Sequence, residues 1–488
     1  MDGTLHQSEI STVDTAILLA STGVFDIASP GSSSKIGALT RIGGLTLFQR
    51  TLFNLQKGGI SQVLTLVGEE EATLRALIRH DDRIRLAVRW LPIREFPPSD
   101  PHTWETLGGE VKGSCLILGS HMVFAPSLIE TLREGGREGR VVVAIGRPGH
   151  HGWMGNPGVI MRADPHPEGL AQRVVFHDFN HTPTDSGSGG GGGMAPAADL
   201  VVLPARLLGI SGAWKTPLVG PIRLALEQAA AEGVVNTVSA STHGYFDARV
   251  PKGPKLAEQI LHRSIQTVKG SLDGVVDRVV NRKLSGVFTK AFIWLGVSPN
   301  VITILSMVIG LAGAVCFAHG LYFWGIVGAL LFQLSVIIDC CDGEVARLTF
   351  SESPFGKELD IIADNIVHMA IFASIAWGSY SQGVWDGSQL PLILGTVAVA
   401  ANGLSLWLVN RVRYMKSHPR QWRQLSGGQR ERLEFILGHV ANRDFSVLVF
   451  LCAIVQVLPW FLGVAAIGST FFVLTMLWTL RSSLLSSD

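Results

Sequence analysis

Apolar positions recur in two alternating patterns along the first half of the chain. Short apolar runs such as QVLTLV at 62–67 predict buried strands, whereas LTLFQRTLFNLQK at 45–57 has the three- and four-residue apolar spacing of a helix. Further runs predict strands at 14–22 and in the segments LAVRWL, SCLILG and VVVAIG. Strands that alternate with helices predict a Rossmann-like α/β sheet domain over residues 1–255.

The segment TDSGSGGGGGMAPAA at 184–198 interrupts this alternation. Its glycine and serine content is typical of a flexible linker, because few of its side chains can pack in a core. It predicts a flexible surface loop.

Long apolar runs fill the second half of the chain and predict an all-α membrane domain over residues 296–488. Most of the runs are near the ~20 residues with which a helix crosses a bilayer, although the fifth is shorter. The pattern predicts six transmembrane helices, at 299–319, 321–340, 359–380, 388–410, 445–460 and 462–480.

A linker at 256–295 joins the two halves, and its second part is basic and amphipathic. Over residues 269–292, apolar side chains recur at helical spacing among five lysines and arginines. Such a helix is suited to lie along a membrane surface. A soluble helix at a domain interface is the alternative.

The distribution of charge predicts the orientation of the membrane domain. The loop at 411–443 carries eight lysines and arginines, whereas the connections near 319–320, 380–389 and 459–461 carry none. The positive-inside rule then places both termini, the first domain and the active site in the cytoplasm, in a multi-pass protein of the cell (inner) membrane. The N-terminal sequence has no basic region followed by an apolar core, so we expect no cleavable signal peptide.

Charge and cysteine usage exclude two further classes. The net charge of +1 gives no global basic field, so we expect no nucleic-acid partner. The five cysteines have no zinc-ligand spacing, which favours reduced, inert thiols.

Four aspartates lie in or beside the second and third predicted spans. Asp339 and Asp342 are three residues apart, and Asp360 and Asp364 are four apart, so each pair shares one helix face. A carboxylate at membrane depth costs about 2.5–3.5 kcal/mol on insertion scales and needs a partner. Two facing helices would gather all four, and Mg²⁺, Mn²⁺ or Ca²⁺ would neutralise them.

Two such ions suit phosphoryl chemistry, and one carboxylate would remain to take the acceptor's proton. A transporter with acidic residues along its pathway is the alternative that the carboxylates alone leave open.

The complete spacing, D-x-x-D-G-x-x-A-R-x8-G-x3-D-x3-D, resembles the signature of the CDP-alcohol phosphotransferase family. The matching residues are Asp339, Asp342, Gly343, Ala346, Arg347, Gly356, Asp360 and Asp364. The resemblance covers about 269–480 and includes SPNVIT at 298–303. It implies that the aspartates surround two Mg²⁺ or Mn²⁺ ions, with Asp364 as general base. It also implies that the CDP moiety is held by Gly343, Ala346, Arg347 and Gly356.

Three arginines are candidate contacts for an acceptor phosphate, because a guanidinium group binds phosphate in a bidentate manner. Arg443 lies at the start of the fifth predicted span, and Arg411 and Arg413 end the fourth. Charge that only sets the topology is the alternative for all three.

Residues 14–68 resemble the start of sugar-nucleotidyltransferase domains in their sequence pattern. With the membrane half, they resemble bifunctional inositol-phosphate cytidylyltransferase and di-inositol-phosphate phosphate synthase proteins, whose soluble half makes the CDP-inositol that the membrane half consumes. This chain lacks three residues that the resemblance leads us to expect. Gly37 stands where a lysine is expected, and Ser120-His121 stands where a metal-binding aspartate is expected. Arg249 stands in place of one member of an acidic pair, of which Asp247 is the other member. We therefore expect that the first domain has lost cytidylyltransferase activity, unless its metal ligands lie elsewhere in the sequence.

These resemblances predict an enzyme that transfers a phospho-alcohol from a CDP-inositol-like donor to an inositol-phosphate-like acceptor and releases CMP. A phosphatidyltransferase that uses the membrane lipid CDP-diacylglycerol is one alternative. A transporter with a nucleotide-sensing domain is another. Homodimers are common in the resembled family.

Overall fold

The residues that the computed structural model describes are 13–20, 36–145, 159–162, 173–176, 194–208, 235–248, 252–266, 282–418, 422–423, 425–440 and 445–485. The chain divides into two compact units, Met1–Leu261 and His262–Asp488.

The first unit combines strands and helices. Its strands are β1 (Val13–Leu19), β2 (Arg41–Ile42), β3 (Leu45–Thr46), β4 (Gln62–Val67), β5 (Ala87–Pro92), β6 (Ser114–Gly119), β7 (Met122–Val123), β8 (Val141–Ile145), β9 (Val159–Arg162), β10 (Arg173–Phe176), β11 (Met194–Pro204), β12 (Val235–Ser239) and β13 (Phe246–Asp247). Its helices are α1 (Leu47–Lys57), α2 (Glu71–Arg79), α3 (Pro101–Glu110), α4 (Pro126–Gly135) and α5 (Ala205–Leu208), followed by α6 (Gly253–Gln266), which crosses the boundary between the units.

Nine of these strands form one sheet, with the order β10-β9-β11-β6-β1-β4-β5, while β8 pairs with β11 and β12. Strands β6, β1, β4 and β5 run parallel, and β11 is antiparallel to β6. Successive strand residues point to opposite faces, so Ile17 and Leu19 enter one apolar cluster while Ala16 and Leu18 enter another. This sheet, covered on both faces, confirms the predicted α/β domain.

Most of the quoted strand runs coincide with observed strands, but two local predictions need correction. Residues 45–46 form β3, and α1 begins only at Leu47, because Thr46 and Gln49 form a capping box. In the predicted loop at 184–198, residues 194–198 begin β11, since their backbone pairs with β9, for example Pro196 with Ile160. Residues 184–193 lie outside the described residues.

Helices form the described part of the second unit. They are α7 (Arg282–Leu295), α8 (Pro299–Ala318), α9 (Tyr322–Leu348), α10 (Pro354–Ser381), α11 (Leu390–Ser417), α12 (Gly427–Val440), α13 (Phe445–Ile454) and α14 (Leu458–Leu485). Among the described residues, five helices are long and apolar enough to cross a membrane, namely α8, α9, α10, α11 and α14. The unit is therefore a multi-pass membrane domain.

The predicted sixth helix of spanning length is not found in the described residues. The predicted span at 445–460 contains α13, whose ten residues extend only ~15 Å. The helix ends because Gln456 adopts a positive φ of 62° and the Val457 N–H turns back to the Cys452 carbonyl. The last residue of α13 still lies beside the α8–α9 connection, since the Tyr322 hydroxyl donates to the Ile454 carbonyl over 3.3 Å.

The predicted amphipathic helix is described from residue 282 onward, as α7. Its outer face exposes Val287, Trp294 and Leu295, whereas Ser285 and Thr289 are fully buried. One face of α7 is thus exposed and apolar while the other is buried, and its position at a membrane surface stays a prediction. Residues 269–281 lie outside the described residues.

Candidate active site

Two consecutive helices carry the four aspartates. Helix α9 continues past the second predicted span to Leu348, so Asp339 and Asp342 lie in its last turns. Helix α10 begins at Pro354, and the Ser353 side chain caps it by accepting the Gly356 N–H over 2.9 Å. The turn between the helices therefore brings the start of α10 back to the end of α9.

Three of the aspartates converge. Carboxylate oxygens of Asp339, Asp342 and Asp360 all lie within 4.8 Å of one another. Asp339 and Asp342 are only 4% and 8% exposed, and Asp360 is partly buried. Like charges at this separation and burial repel strongly unless a cation lies among them.

The donor set fits a divalent metal ion. Carboxylate oxygens are hard ligands of the kind that Mg²⁺, Mn²⁺ and Ca²⁺ prefer. The group is contributed by two rigid helices, which keeps the three oxygens close without a flexible loop. These residues could therefore hold the metal that the sequence predicts.

Asp364 is not one of these three converging residues. It lies one helical turn beyond Asp360 on α10 and is partly buried. The next turn places His368 in an aromatic cluster, 5.9 Å from the Phe332 ring and 5.3 Å from the Phe445 ring. Phe445 begins α13, so the start of that helix lies against α10 near Asp364.

A hydroxyl group from a third helix orients one carboxylate. The Thr303 hydroxyl on α8 donates to Asp342 Oδ2, and both side chains are buried. Thr303 was part of the SPNVIT similarity but had no predicted role. Its contact depends on how α8 packs against α9, which the sequence pattern does not specify.

A cavity of about 140 Å³ opens beside the aspartates. The predicted CDP-binding residues all line it, together with two of the acids: Asp342, Gly343, Ala346, Arg347, Gly356 and Asp360. At Gly356 a Cβ atom would lie 3.0 Å from Asn300 Oδ1 and 3.1 Å from Ser353 Oγ. The absence of a side chain there keeps this part of the cavity open.

The cavity is also lined by polar residues for which the sequence predicts no role. They are Asn300, Thr303, Ser351, Glu352, Ser353 and Lys357. Arg347 and Lys357 are exposed, and the first turn of α10 adds its N-terminal N–H groups. With a metal ion among the aspartates, these two cations and the helix N-terminus would favour an anionic ligand such as a diphosphate.

The three candidate acceptor arginines are not gathered at this cavity. Arg411 and Arg413 lie in the last turns of α11, and neither is among the described residues that line the cavity. The Arg411 guanidinium lies 5.9 Å from the Tyr414 ring. Arg443 lies outside the described residues.

In the first unit, the positions expected to bind metal are brought together. Ser120 and His121 follow β6 directly, and β13, which contains Asp247, pairs with β7 immediately after them. The Ala248 N–H donates to the His121 carbonyl over 3.0 Å. Ser120, His121 and Asp247 are all buried, and Arg249 lies outside the described residues.

Comparison with known proteins identifies relatives of both halves. Residues 296–479 match the family described as CDP-alcohol phosphatidyltransferase. "Bifunctional IPC transferase and DIPP synthase" from Aquifex aeolicus is 22% identical over 472 residues, 96% of each chain. The protein of that name from Thermococcus kodakarensis is 32% identical over 157 residues, which span 32% of this chain and 35% of the relative.

A shorter relative and a solved structure complete the comparison. "Phosphatidylinositol phosphate synthase" from Mycolicibacterium smegmatis is 30% identical over 104 residues, or 21% of this chain and 46% of the relative. The inositol-1-phosphate CTP transferase from T. maritima aligns at 12% identity with a TM-score of 0.36. That alignment covers 51% of this chain and 97% of the other.

Proposed function

We propose that the protein transfers a phospho-alcohol from a CDP-alcohol to an acceptor hydroxyl and releases CMP, because residues 296–479 match the CDP-alcohol phosphatidyltransferase family. The observation that carries this proposal is the convergence of three carboxylates beside a cavity that also contains Arg347 and Lys357; two of the three carboxylates line that cavity. A metal-binding group next to groups that can bind phosphate is what such a displacement requires.

Each residue of the motif has a role in this reaction. Asp339, Asp342 and Asp360 hold two Mg²⁺ or Mn²⁺ ions, which when bound neutralise the diphosphate and stabilise the leaving CMP. Asp364 accepts the proton of the acceptor hydroxyl as general base.

The cavity residues hold the nucleotide. Gly343, Ala346 and Gly356 let the CDP moiety approach the helix backbones closely, and Arg347 pairs with phosphate oxygens. The acceptor's own phosphate, in this proposal, binds the arginines on the cytoplasmic side, Arg411, Arg413 and Arg443.

We propose a CDP-inositol-like donor and an inositol-phosphate-like acceptor. The support is the Aquifex relative, which matches 96% of this chain and is named for IPC transferase and DIPP synthase activities. A phosphatidyltransferase that uses CDP-diacylglycerol is the second candidate, because relatives named phosphatidylinositol phosphate synthase match part of this chain.

A donor comparison tests this function. Purified full-length protein is supplied with Mg²⁺ or Mn²⁺, inositol 1-phosphate and either CDP-inositol or CDP-diacylglycerol, and CMP release is measured. We expect CMP from CDP-inositol; CMP from the lipid donor alone would establish the second candidate. A protein that releases CMP from neither donor, with any polar acceptor, would contradict the proposed reaction.

Two substitutions link the activity to the site. Asp364→Asn removes the general base and should lower CMP release at least a hundredfold. Asp386→Asn makes the same chemical change at an exposed position in the α10–α11 connection and should leave the rate unchanged. A transporter would retain its function in Asp364→Asn, because transport does not need that proton transfer.

For the first domain we propose that cytidylyl transfer has been lost. Ser120 and His121 follow β6 directly and lie near buried Asp247, where the resemblance calls for a metal-binding carboxylate. A hydroxyl and an imidazole are poor replacements for a hard-oxygen ligand of magnesium. Full-length protein incubated with CTP, inositol 1-phosphate and Mg²⁺ should release no pyrophosphate, and steady release would disprove the loss.

A further inference from the structure

A buried glutamate lies inside the aspartate motif and has no role in the proposed chemistry. Glu344 of α9 is only 4% exposed. Its Oε1 accepts the Ser285 hydroxyl over 2.8 Å, and its Oε2 accepts the Thr289 hydroxyl over 2.7 Å. Each carboxylate oxygen therefore has its own hydroxyl donor, and both donors come from α7.

Glu344 points away from the cavity. It follows Asp342 by two residues, and two residues rotate a helix by about 200°, so the two acids lie on nearly opposite faces of α9. Among the described residues, Asp342 lines the cavity and Glu344 does not. Glu344 thus contacts the neighbouring helix rather than the substrate.

Helix α7 depends on this back face of α9 for much of its packing. Phe292 and Ile293 pack against the apolar cluster of α9 that contains Cys341 and Val345. The Cys341 thiol adds a weak contact to the Ser285 carbonyl at 3.5 Å. The opposite side of α7 is exposed, with Trp294 accessible over 83% of its surface.

A carboxylate is a costly way to fill this position. Burying an acidic group opposes folding unless its hydrogen bonds are well formed, and an apolar side chain of similar size would avoid that cost. Hydrogen bonds have directional requirements that apolar contacts lack. The two hydroxyl bonds therefore fix the rotation and axial position of α9 more tightly than apolar packing would.

We propose that Glu344 is a positioning residue for the metal-binding site. Held by Ser285 and Thr289, it fixes the turn of α9 that presents Asp342, so that Asp342 and Asp339 keep their distance from Asp360 on α10. Helix α7 is thereby coupled to the active site. This inference rests on the proposed function for its effect on catalysis, but its effect on metal binding does not depend on which substrate is used.

The test measures Mn²⁺ binding to full-length protein purified in detergent, from the electron paramagnetic resonance signal of the unbound Mn²⁺. Glu344→Gln keeps the size of the side chain but replaces one accepting oxygen with an amide group. Thr289→Val keeps the shape and removes the hydroxyl, whereas Thr289→Ser keeps the hydroxyl. Glu431→Gln, at an exposed position of α12, is the matched control.

We expect Glu344→Gln and Thr289→Val each to raise the Kd for Mn²⁺ on the order of tenfold, the effect typical of residues that orient metal ligands. Thr289→Ser and Glu431→Gln should stay within about twofold of the wild-type Kd. The double variant Glu344→Gln, Thr289→Val should bind Mn²⁺ no more weakly than the worse single variant, since both changes disrupt the same hydrogen-bonded contact between α7 and α9.

Two results would overturn the inference: folded variants with the wild-type Kd, or two single effects that multiply in the double variant. Should Glu344→Gln fail to fold, the Thr289→Val and Thr289→Ser pair decides by itself. CMP release by the same samples separates this inference from the proposed function. Wild-type protein that binds Mn²⁺ but releases no CMP would refute the proposed function. The Kd values of the variants would still show whether Glu344 positions the metal-binding residues.

Discussion

At Gly356, one methyl group determines whether the donor cavity keeps its shape. A Cβ atom there would lie 3.0 Å from Asn300 Oδ1 and 3.1 Å from the Ser353 Oγ that caps α10. Gly356→Ala should therefore weaken donor binding by about 1–3 kcal/mol, which corresponds to a roughly five- to 150-fold higher KM for the CDP-alcohol. Steady-state CMP release at varied donor concentration gives this KM.

Gly468→Ala is the control for that experiment. Gly468 also lies in a membrane helix, but a Cβ atom at this position would meet nothing within 4 Å. Its KM should equal that of the wild type. A Gly356→Ala enzyme with an unchanged donor KM would show that the CDP moiety binds elsewhere.

Cys115 illustrates how burial controls reactivity at a single residue. It lies in the fully buried strand β6, and this desolvation raises the pKa of its thiol to about 12. Because the thiolate is the reactive form and a raised pKa keeps the thiol protonated, iodoacetamide at pH 8.5 should leave Cys115 unmodified in folded protein. Mass spectrometry of the Cys115 peptide, before and after denaturation, tests this, and rapid modification of the folded protein would contradict it.

The sequence predicts residues whose partners lie on their own helix better than those whose partners lie on another. Asp339 and Asp342 were predictable as a pair because three-residue spacing places both on one face. Thr303 and Glu344 gave no such signal, since a threonine in an apolar run and a glutamate in a charged motif are both ordinary. Their roles come from contacts across 39 and 55–59 residues of sequence, which helical periodicity does not encode.

At the scale of helices, close backbone contact holds α10 against the end of α8. A Cβ atom on Gly378 would lie 2.3 Å from the Phe317 carbonyl oxygen, which is backbone and cannot move aside. Gly378→Ala should therefore separate the helices and destabilise the membrane domain by about 1–3 kcal/mol. The midpoint of thermal unfolding in detergent should fall accordingly.

Gly403→Ala provides the comparison for Gly378→Ala. Gly403 lies in α11, where a Cβ atom would meet nothing within 4 Å, and alanine is the better helix former. Its unfolding midpoint should be equal to or above that of the wild type. Equal losses of stability at the two positions would show that helix contact at Gly378 is unimportant.

The elements themselves were predicted where the local pattern is strong. The runs QVLTLV and SCLILG coincide with β4 and β6, because buried parallel strands are continuously apolar. The start of β11 was missed since Met194–Pro196 contains a proline and no β-branched residue, and its pairing with β9 is a long-range contact. The length of α13 was overestimated because hydropathy does not detect the positive φ at Gln456.

At the scale of the whole chain, hydropathy distinguishes an α/β half from a half rich in long apolar runs, and the structure divides the chain at Leu261 and His262. The bundle order of the membrane half depends on which helices meet. The contact between Tyr322 and Ile454 shows that the chain reaches the α8–α9 end of the bundle again just before α14. Because α14 starts at that end of the bundle, it runs back to the side on which α8 begins.

This course of the chain predicts which side of the membrane each connection faces. The connection between α10 and α11 contains exposed Ser388 and carries no lysine or arginine, whereas the strongly basic segment between α11 and α13 contains exposed Glu431. The positive-inside rule predicts that Ser388 lies outside the cell membrane and that Glu431 lies in the cytoplasm. In intact cells, a membrane-impermeant maleimide should therefore label Ser388→Cys, and should label Glu431→Cys only after permeabilisation. Wild-type protein serves as the control for labelling of the five native cysteines. The aspartate site lies at the same end of the bundle as the basic segment. Labelling of Glu431→Cys in intact cells, with Ser388→Cys labelled only after permeabilisation, would therefore place the aspartate site on the outer side.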